Sequence, residues 1–214
     1  QYRFDIGDGL KGHNFGNLFI TALSRVTGCF DKAVKESSKV LAIRGQVIPS
    51  TLDKVTLVAQ FNDGTQAEGE TTIVDTHKPI DVLRLSPEHC TATKEAVEAI
   101  DAADFIILGP GSLFTSVLPN LLIADIREAI LASDAFKVYV SNVMTQPGET
   151  DNMSAFDHYA VLEKHAGYGV VDACLVNVGL VPEELEKKYA AKDQYSVVLD
   201  LERFEQKGLK ILKD

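Results

Sequence analysis

A three-layer α/β fold around a mostly parallel, helix-covered sheet is predicted by three features of this 214-residue chain. From Thr93 onward, short apolar runs alternate with stretches of helical period. Those runs (Phe105–Leu108, Val138–Val140, Ala173–Val176, Val197–Leu199) are apolar on both faces, as strands buried between helices are. The composition, 45% apolar and 24% charged, is that of a soluble globular chain of one domain, two at most.

The elements follow in order. A loop, Gly7-Asp8-Gly9-Leu10-Lys11-Gly12, precedes apolar residues at Phe15, Leu18, Phe19, Ala22, Leu23 and Val26, whose spacing predicts a helix stopped at Gly28. Phe30, Ala33, Val34 and Leu41 predict a second helix. The period then changes to two. Val55, Leu57, Ala59 and Phe61 alternate with polar neighbours, and Asn62-Asp63-Gly64 turns the chain into Thr65–Val74, a β-hairpin. Arg44–Pro49 and Val82–Leu85 add further strands, so residues 44–85 read as a small antiparallel insertion within a single 1–214 domain. Helices are predicted through Ala96, Val97 and Ile100, and through Ile126, Ala129 and Ile130. A capping box at Ser154-Ala155-Phe156-Asp157 opens another that reaches Lys164, and a short one lies near Pro182–Tyr189. The chain starts at Gln1 and ends on the strand-like Leu209–Leu212; both edges are expected to be cuts in a longer protein.

Composition excludes several classes. A formal net charge of −10 argues against nucleic acid as the main partner, because phosphate backbones require a basic face. No apolar run approaches the ~18–20 residues of a membrane span, and no signal-peptide pattern is present. Cys29, Cys90 and Cys174 are odd in number, widely spaced and without a C-x-x-C pair, so they read as reduced structural thiols in a cytoplasmic protein.

The chemistry concentrates where strands end. Strand 104–108 runs into Gly109-Pro110-Gly111-Ser112-Leu113-Phe114-Thr115-Ser116, which brings backbone N–H groups and hydroxyls to an expected helix start. Such a start suits a phosphate or carboxylate, and glycine removes the Cβ that would block approach. The alternative is an ordinary strand-to-helix turn. Two more strand ends carry unusual loops, Asn142–Asp151 and Asn177-Val178-Gly179, and ligands of parallel sheets bind at strand carboxyl ends. Gly109, Gly111, Ser112, Ser116, Asn142, Thr145 and Gln146 are therefore candidate ligand-binding residues.

Elsewhere, His13, Asn14 and Asn17 sit at the first helix start and could hydrogen-bond a phosphate, ribose or base; Asn14 could equally be a cap. Arg44 could fork onto a phosphate or be a surface arginine, and Thr51, which follows Pro49 and Ser50 in a turn, is a further candidate ligand contact, though Ser50 and Thr51 could equally cap the loop. Glu149 and Asp151 are candidate Mg²⁺ ligands, set against capping and solvation. Neither G-x-G-x-x-G, G-x-x-x-x-G-K-[ST] nor G-x-S-x-G occurs.

Four stretches in order, Gly12–Leu18 (GHNFGNL), Arg44–Thr51 (RGQVIPST), Gly109–Leu122 (GPGSLFTSVLPNLL) and Asn142–Asp151 (NVMTQPGETD), resemble the YvcK-type, gluconeogenesis-factor branch of the CofD-like superfamily. The resemblance runs from Gln1 to about Tyr189. It implies a Rossmann-like fold, a cytoplasmic bacterial protein and binding of a UDP-sugar such as UDP-N-acetylglucosamine, with links to cell shape, envelope synthesis and gluconeogenic growth. The sister branch, 2-phospho-L-lactate transferase, moves a phospholactyl group from a guanosine diphosphate donor onto a deazaflavin in coenzyme F420 synthesis. Both branches imply a nucleotide diphosphate at these strand ends, and Mg²⁺ often accompanies such phosphates. Tyr189 becomes a candidate base- or sugar-stacking residue, a homodimer is among the expected assemblies, and no catalytic residue is assigned. The family's opening Gly-rich strand–loop–helix has no counterpart in this chain.

Overall fold

The computed structural model describes residues 3–5, 7, 9–40 and 44–214. Helices α1 (Phe15–Thr27) and α2 (Phe30–Val40) form a hairpin. Asn14 caps α1: its Oδ1 accepts from the N–H groups of Gly16 (2.7 Å) and Asn17 (3.4 Å). Gly28 ends the helix in the left-handed region, at φ 73°. Leu41, expected in α2, lies outside the described residues.

Strands β1 (Thr56–Phe61), β2 (Gln66–Glu68) and β3 (Ile80–Ser86) form an antiparallel sheet in the order β2-β1-β3. The expected return strand Thr65–Val74 stops at Glu68. Gly69, at φ 87°, breaks the ladder, and Glu70–Asp75 is helix α3, which sets Ile73 fully buried in the core. Burial of that one side chain outweighs the strand preference of Thr71, Thr72, Ile73 and Val74. Arg44–Pro49 is also not a strand. Pro49 has no N–H for a ladder, and the segment is held instead by Thr93, whose Oγ1–H donates to the Pro49 carbonyl (2.6 Å) and whose N–H donates to that of Ser50 (2.9 Å).

The second sheet is parallel throughout: β4 (Phe105–Leu108), β5 (Phe136–Val140), β6 (Ala173–Val176) and β7 (Lys210–Lys213), in that spatial order. Its connections carry α4 (Lys94–Asp101), a five-residue π-helical turn (Leu113–Val117) continuing into α5 (Leu118–Leu121), α6 (Ala124–Ala132), α7 (Ala155–Ala166), α8 (Glu183–Ala190) and α9 (Leu201–Lys207). The α/β class with a parallel sheet and a smaller antiparallel one is as predicted. Val197–Leu199, however, is not a strand. It runs alongside the loop after β5, with the Val197 N–H donating to the Val143 carbonyl (2.9 Å), while β7 takes the sheet position. Edge strand β4 is also less buried than its sequence suggests: Phe105 and Ile107 are 67% and 64% exposed.

One apolar core joins both sheets. Phe61, Leu83 and Leu85 from the antiparallel sheet meet Phe114, Leu118, Leu121 and Leu162, which pack on Leu108, Tyr139 and Cys174 of the parallel one. The capping box of α7 forms as read, with the Ser154 N–H donating to Asp157 Oδ2 (2.9 Å) and the Asp157 N–H to Ser154 Oγ (3.1 Å).

Two contacts fasten the sheets together. On α7, His165 Nδ1–H donates to the Val161 carbonyl (2.8 Å) and Nε2 accepts from the N–H of Leu83 in β3 (3.0 Å). Burial lowers the pKa of this ring from 6.5, so the native state refuses a proton that the unfolded chain takes. The stabilisation is complete above pH ~6.5 and is lost as pH falls below it. Between pH ~6.5 and ~5, the wild type is predicted to lose unfolding free energy relative to His165→Gln, by up to about 1.4 kcal/mol per pH unit in urea titrations. Parallel curves would contradict this. The second contact is Gly148, at φ 77°. A Cβ there would drive into the carbonyl of Val74, the exit of α3. Gly148→Ala is predicted to cost about 2 kcal/mol or more, and an unchanged denaturation midpoint would refute the close approach.

Candidate functional site at the carboxyl edge of the parallel sheet

The loops after β4 and β5 are neighbours because their strands pair in register, Leu108 opposite Tyr139. Gly109 leaves β4 at φ 91°, and a Cβ on it would stand 3.1 Å from the Val140 carbonyl oxygen, so only glycine lets the first loop lie against the second strand. Gly111 has no such requirement. A Cβ there would meet Ser116 Cβ at 3.4 Å, an ordinary contact.

A chain of side-chain hydrogen bonds crosses between the loops. The Asn142 Nδ2–H donates to Gln146 Oε1 (3.2 Å), and the Gln146 Nε2–H donates to Ser112 Oγ (2.8 Å). Ser112 precedes the π-helical turn without capping it through its side chain. The Asn142 Oδ1 is buried and accepts no hydrogen bond. Thr145 is used differently from the expectation of a ligand contact. Its N–H donates to the Tyr195 carbonyl (2.7 Å) and its Oγ1 accepts from the Tyr195 N–H (3.0 Å), which clamps the 195–197 segment over the loop. Thr150, fully buried, closes the loop on itself by accepting the Gln146 N–H at Oγ1 (2.9 Å).

A carboxylate of the protein itself lies against this turn. Glu149 is 8% exposed. Its carboxylate receives the Thr115 Oγ1–H (3.2 Å to Oε1, 3.3 Å to Oε2), and the backbone N–H groups of Phe114 and Thr115 favour its charged form. Burial raises its pKa, partly offset by those donors. Asp151 is likewise turned to the main chain, with Oδ2 accepting from the Gly148 N–H (2.7 Å). Of the two carboxylates named for Mg²⁺, Glu149 thus takes the Thr115 hydroxyl and Asp151 the Gly148 N–H. Among the described residues no group of three or more His, Cys, Asp and Glu is placed to hold a metal.

A third piece reaches the same turn. The Ser50 Oγ–H donates to Asn120 Oδ1 (2.5 Å), and the Asn120 Nδ2–H donates to the Ser116 carbonyl (2.8 Å). Thr51 lies beside it, with Oγ1–H donating to the Thr91 carbonyl (2.6 Å). Thr51, Thr115 and Asn120 line a cleft of about 290 Å³ with an apolar floor of Val55, Leu57 and Leu85.

The structure therefore brings Gly109, Gly111, Ser112, Ser116, Asn142, Gln146 and Thr51 onto one edge. It does not join the others to them by any described hydrogen bond. His13 and Asn17 are exposed at the start of α1, Asn14 is its cap, Arg44 is exposed in a bend, and Tyr189 sits on α8, 37% exposed. The three cysteines are unpaired. Burial pushes the Cys174 thiol up to about 12, which makes it a packed core group. Thr115 and Asn120 were missed by sequence reasoning. Asn120 carried one legible signal, its position four residues after Ser116 in a helical run.

A family model described as 2-phospho-L-lactate transferase CofD matches residues 1–214. A relative from Aquifex aeolicus named "Putative gluconeogenesis factor" is 49% identical over 99% of this chain and 65% of its own length. The Bacillus subtilis "Gluconeogenesis factor" is 43% identical over all of this chain and 68% of its own. A crystal structure of a UPF0052-family protein from Bacillus halodurans superposes with a TM-score of 0.92 at 42% identity, covering the whole chain and 69% of that structure. The chain thus spans about two thirds of the length of these relatives. No described helix is long and apolar enough to cross a membrane. With the whole length matched by the family model and relatives well above 40% identity, the chain belongs to the CofD family.

Proposed function

We propose that this chain is the core of a nucleotide-sugar-binding protein, of the UDP-N-acetylglucosamine type, which regulates cell morphogenesis and envelope synthesis during gluconeogenic growth in the cytoplasm. The observation that carries the reading is the Ser112–Gln146–Asn142 hydrogen-bond chain, which holds the loops of two paired strands as one polar edge at their carboxyl ends. That is where parallel sheets bind nucleotides. Gly109 and Gly111 leave the main chain open on one side of the edge, and Ser112 and Ser116 present hydroxyls. Basic side chains are nearly absent here, so a diphosphate is held by neutral donors and by a Mg²⁺ carried with it. His13, Asn14, Asn17, Arg44 and Tyr189 are proposed to join on ligand binding, as a cover rather than a floor. A homodimer is part of the same proposal.

The family model's own description favours a second reading, phospholactyl transfer from a guanosine diphosphate donor to a deazaflavin. It requires an acid or metal centre near the edge, and the buried carboxylate of Glu149 is engaged by the Thr115 hydroxyl.

Thermal unfolding of the full-length protein with UDP-N-acetylglucosamine, GDP and NAD separates these readings. A ligand at about 100 times its Kd stabilises by about 2.7 kcal/mol. The predicted result is a shift with the uridine diphosphate sugar and none with NAD. A shift with GDP alone would favour the transferase, and no shift with any nucleotide would overturn both.

A further inference from the structure

A second cavity, of about 510 Å³, is bounded on one side by the entry to β3 and on the other by α7 and the loop after β5. That volume lies within the roughly 300–1,000 Å³ of small-molecule sites. Pro79, Ile80, Phe114, Met153 and Val161 give it apolar walls, and Glu149 and Asp151 line it with carboxylates. None of the residues assigned above to the nucleotide lines it.

The charge at this cavity is one-sided. Elsewhere in the fold a buried charge has a counter-ion: Lys137 lies 3.8 Å from Asp172 Oδ2. Glu149 is as deeply buried and makes no ion pair with any described residue. Its side-chain donor, the Thr115 hydroxyl, is distant (3.2 and 3.3 Å) and shared between both oxygens. Asp151 adds a second negative charge, with Oδ2 accepting from the Gly148 N–H, and Glu70 lies near enough to disfavour the Glu149 anion further. The ammonium of Lys78, also on the wall, is taken up by Asp63 Oδ2 (2.7 Å) and Thr65 Oγ1 (3.1 Å). A buried charge is costly until it is paired, and an apolar cavity bordered by such a charge selects a ligand of opposite sign. Because no three His, Cys, Asp or Glu among the described residues converge to hold a metal, the geometry favours a cation with an apolar body over a bare ion.

We propose that this cavity binds a small organic cation, whose ammonium pairs with Glu149 while its apolar body packs against Ile80, Phe114, Met153 and Val161. The inference stands apart from the nucleotide-sugar reading and does not depend on it. Charge-assisted hydrogen bonds are about twice as strong as neutral ones, so an amine is held where the matching alcohol is not.

The probes are benzylamine, cationic at neutral pH, and benzyl alcohol, neutral and of similar shape. Methyl NMR of the full-length protein labelled at its methionine methyl groups reads where they bind. Met153 lines the cavity, Met144 lies against Ser196 instead, and Met153→Leu assigns the Met153 signal. Benzylamine is expected to move the Met153 methyl signal and leave that of Met144 in place, with an affinity at least about tenfold above that of benzyl alcohol. Glu149→Gln is expected to lower benzylamine to the affinity of the alcohol. Should that variant fail to fold, the comparison of the two probes on the wild type still decides. Equal affinities for the two probes on the wild type overturn the proposal, as does a gap that survives in folded Glu149→Gln. So does benzylamine that leaves the Met153 signal unmoved.

Discussion

The buried carboxylate of Glu149 is the interaction on which the rest of the sheet's carboxyl edge depends. A carboxylate taken out of water is tolerated only where donors converge on it. Here the hydrogen-bond donor is the Thr115 hydroxyl, and the backbone N–H groups of Phe114 and Thr115 also favour the charge; all belong to the turn that follows β4. Glu149 itself comes from the loop that follows β5. The single contact therefore closes two connections that are 34 residues apart in sequence. The flanking residues reinforce it: Gly148 lies against Val74 of helix α3, and Thr150 folds the loop on itself. Three structural units thereby meet at one short segment, and a polar edge results that is ordered without a ligand.

This arrangement changes what the Gly109–Ser112 turn can do. Read from sequence, its N–H groups form a cradle for an external phosphate. In the fold, the Glu149 carboxylate takes the Thr115 hydroxyl beside that turn, and Ser112, Gln146 and Asn142 are joined by side-chain hydrogen bonds across the two loops. Neutral hydrogen-bonding groups select ligands by donor and acceptor pattern more than by charge. That agrees with a chain whose net charge is −10 and whose edge carries few basic side chains.

Much of the fold was legible because its strands are continuous apolar runs, even in edge strand β4, where Phe105 and Ile107 stay exposed. Phe105–Leu108 and Ala173–Val176 could be read nearly to the residue, as could the Ser154–Asp157 cap. The misreadings fell where tertiary contacts outweigh local preference. Thr71–Val74 is rich in β-branched residues yet helical, because Gly69 turns the chain and Ile73 must enter the core. Val197–Leu199 looks like a sheet strand, but its Val197 N–H serves the Val143 carbonyl and its Val198 carbonyl accepts from Ala155. At the site, residue types were visible and assignments were not. Thr145 and Glu149 have the composition of ligand contacts, and only their partners, 50 and 34 residues away, show that they brace the loops.

Amide hydrogen exchange at Phe114 and Thr115, compared between wild type and Glu149→Ala, tests the central role of this carboxylate most directly. Local opening free energies vary along a structure and are read amide by amide. With the carboxylate gone, both amides are predicted to exchange at least about tenfold faster, while those of α7 and β5 keep their wild-type rates. Unchanged exchange at Phe114 and Thr115 would contradict the claim that Glu149 holds the turn, and so would a uniform acceleration across the whole chain.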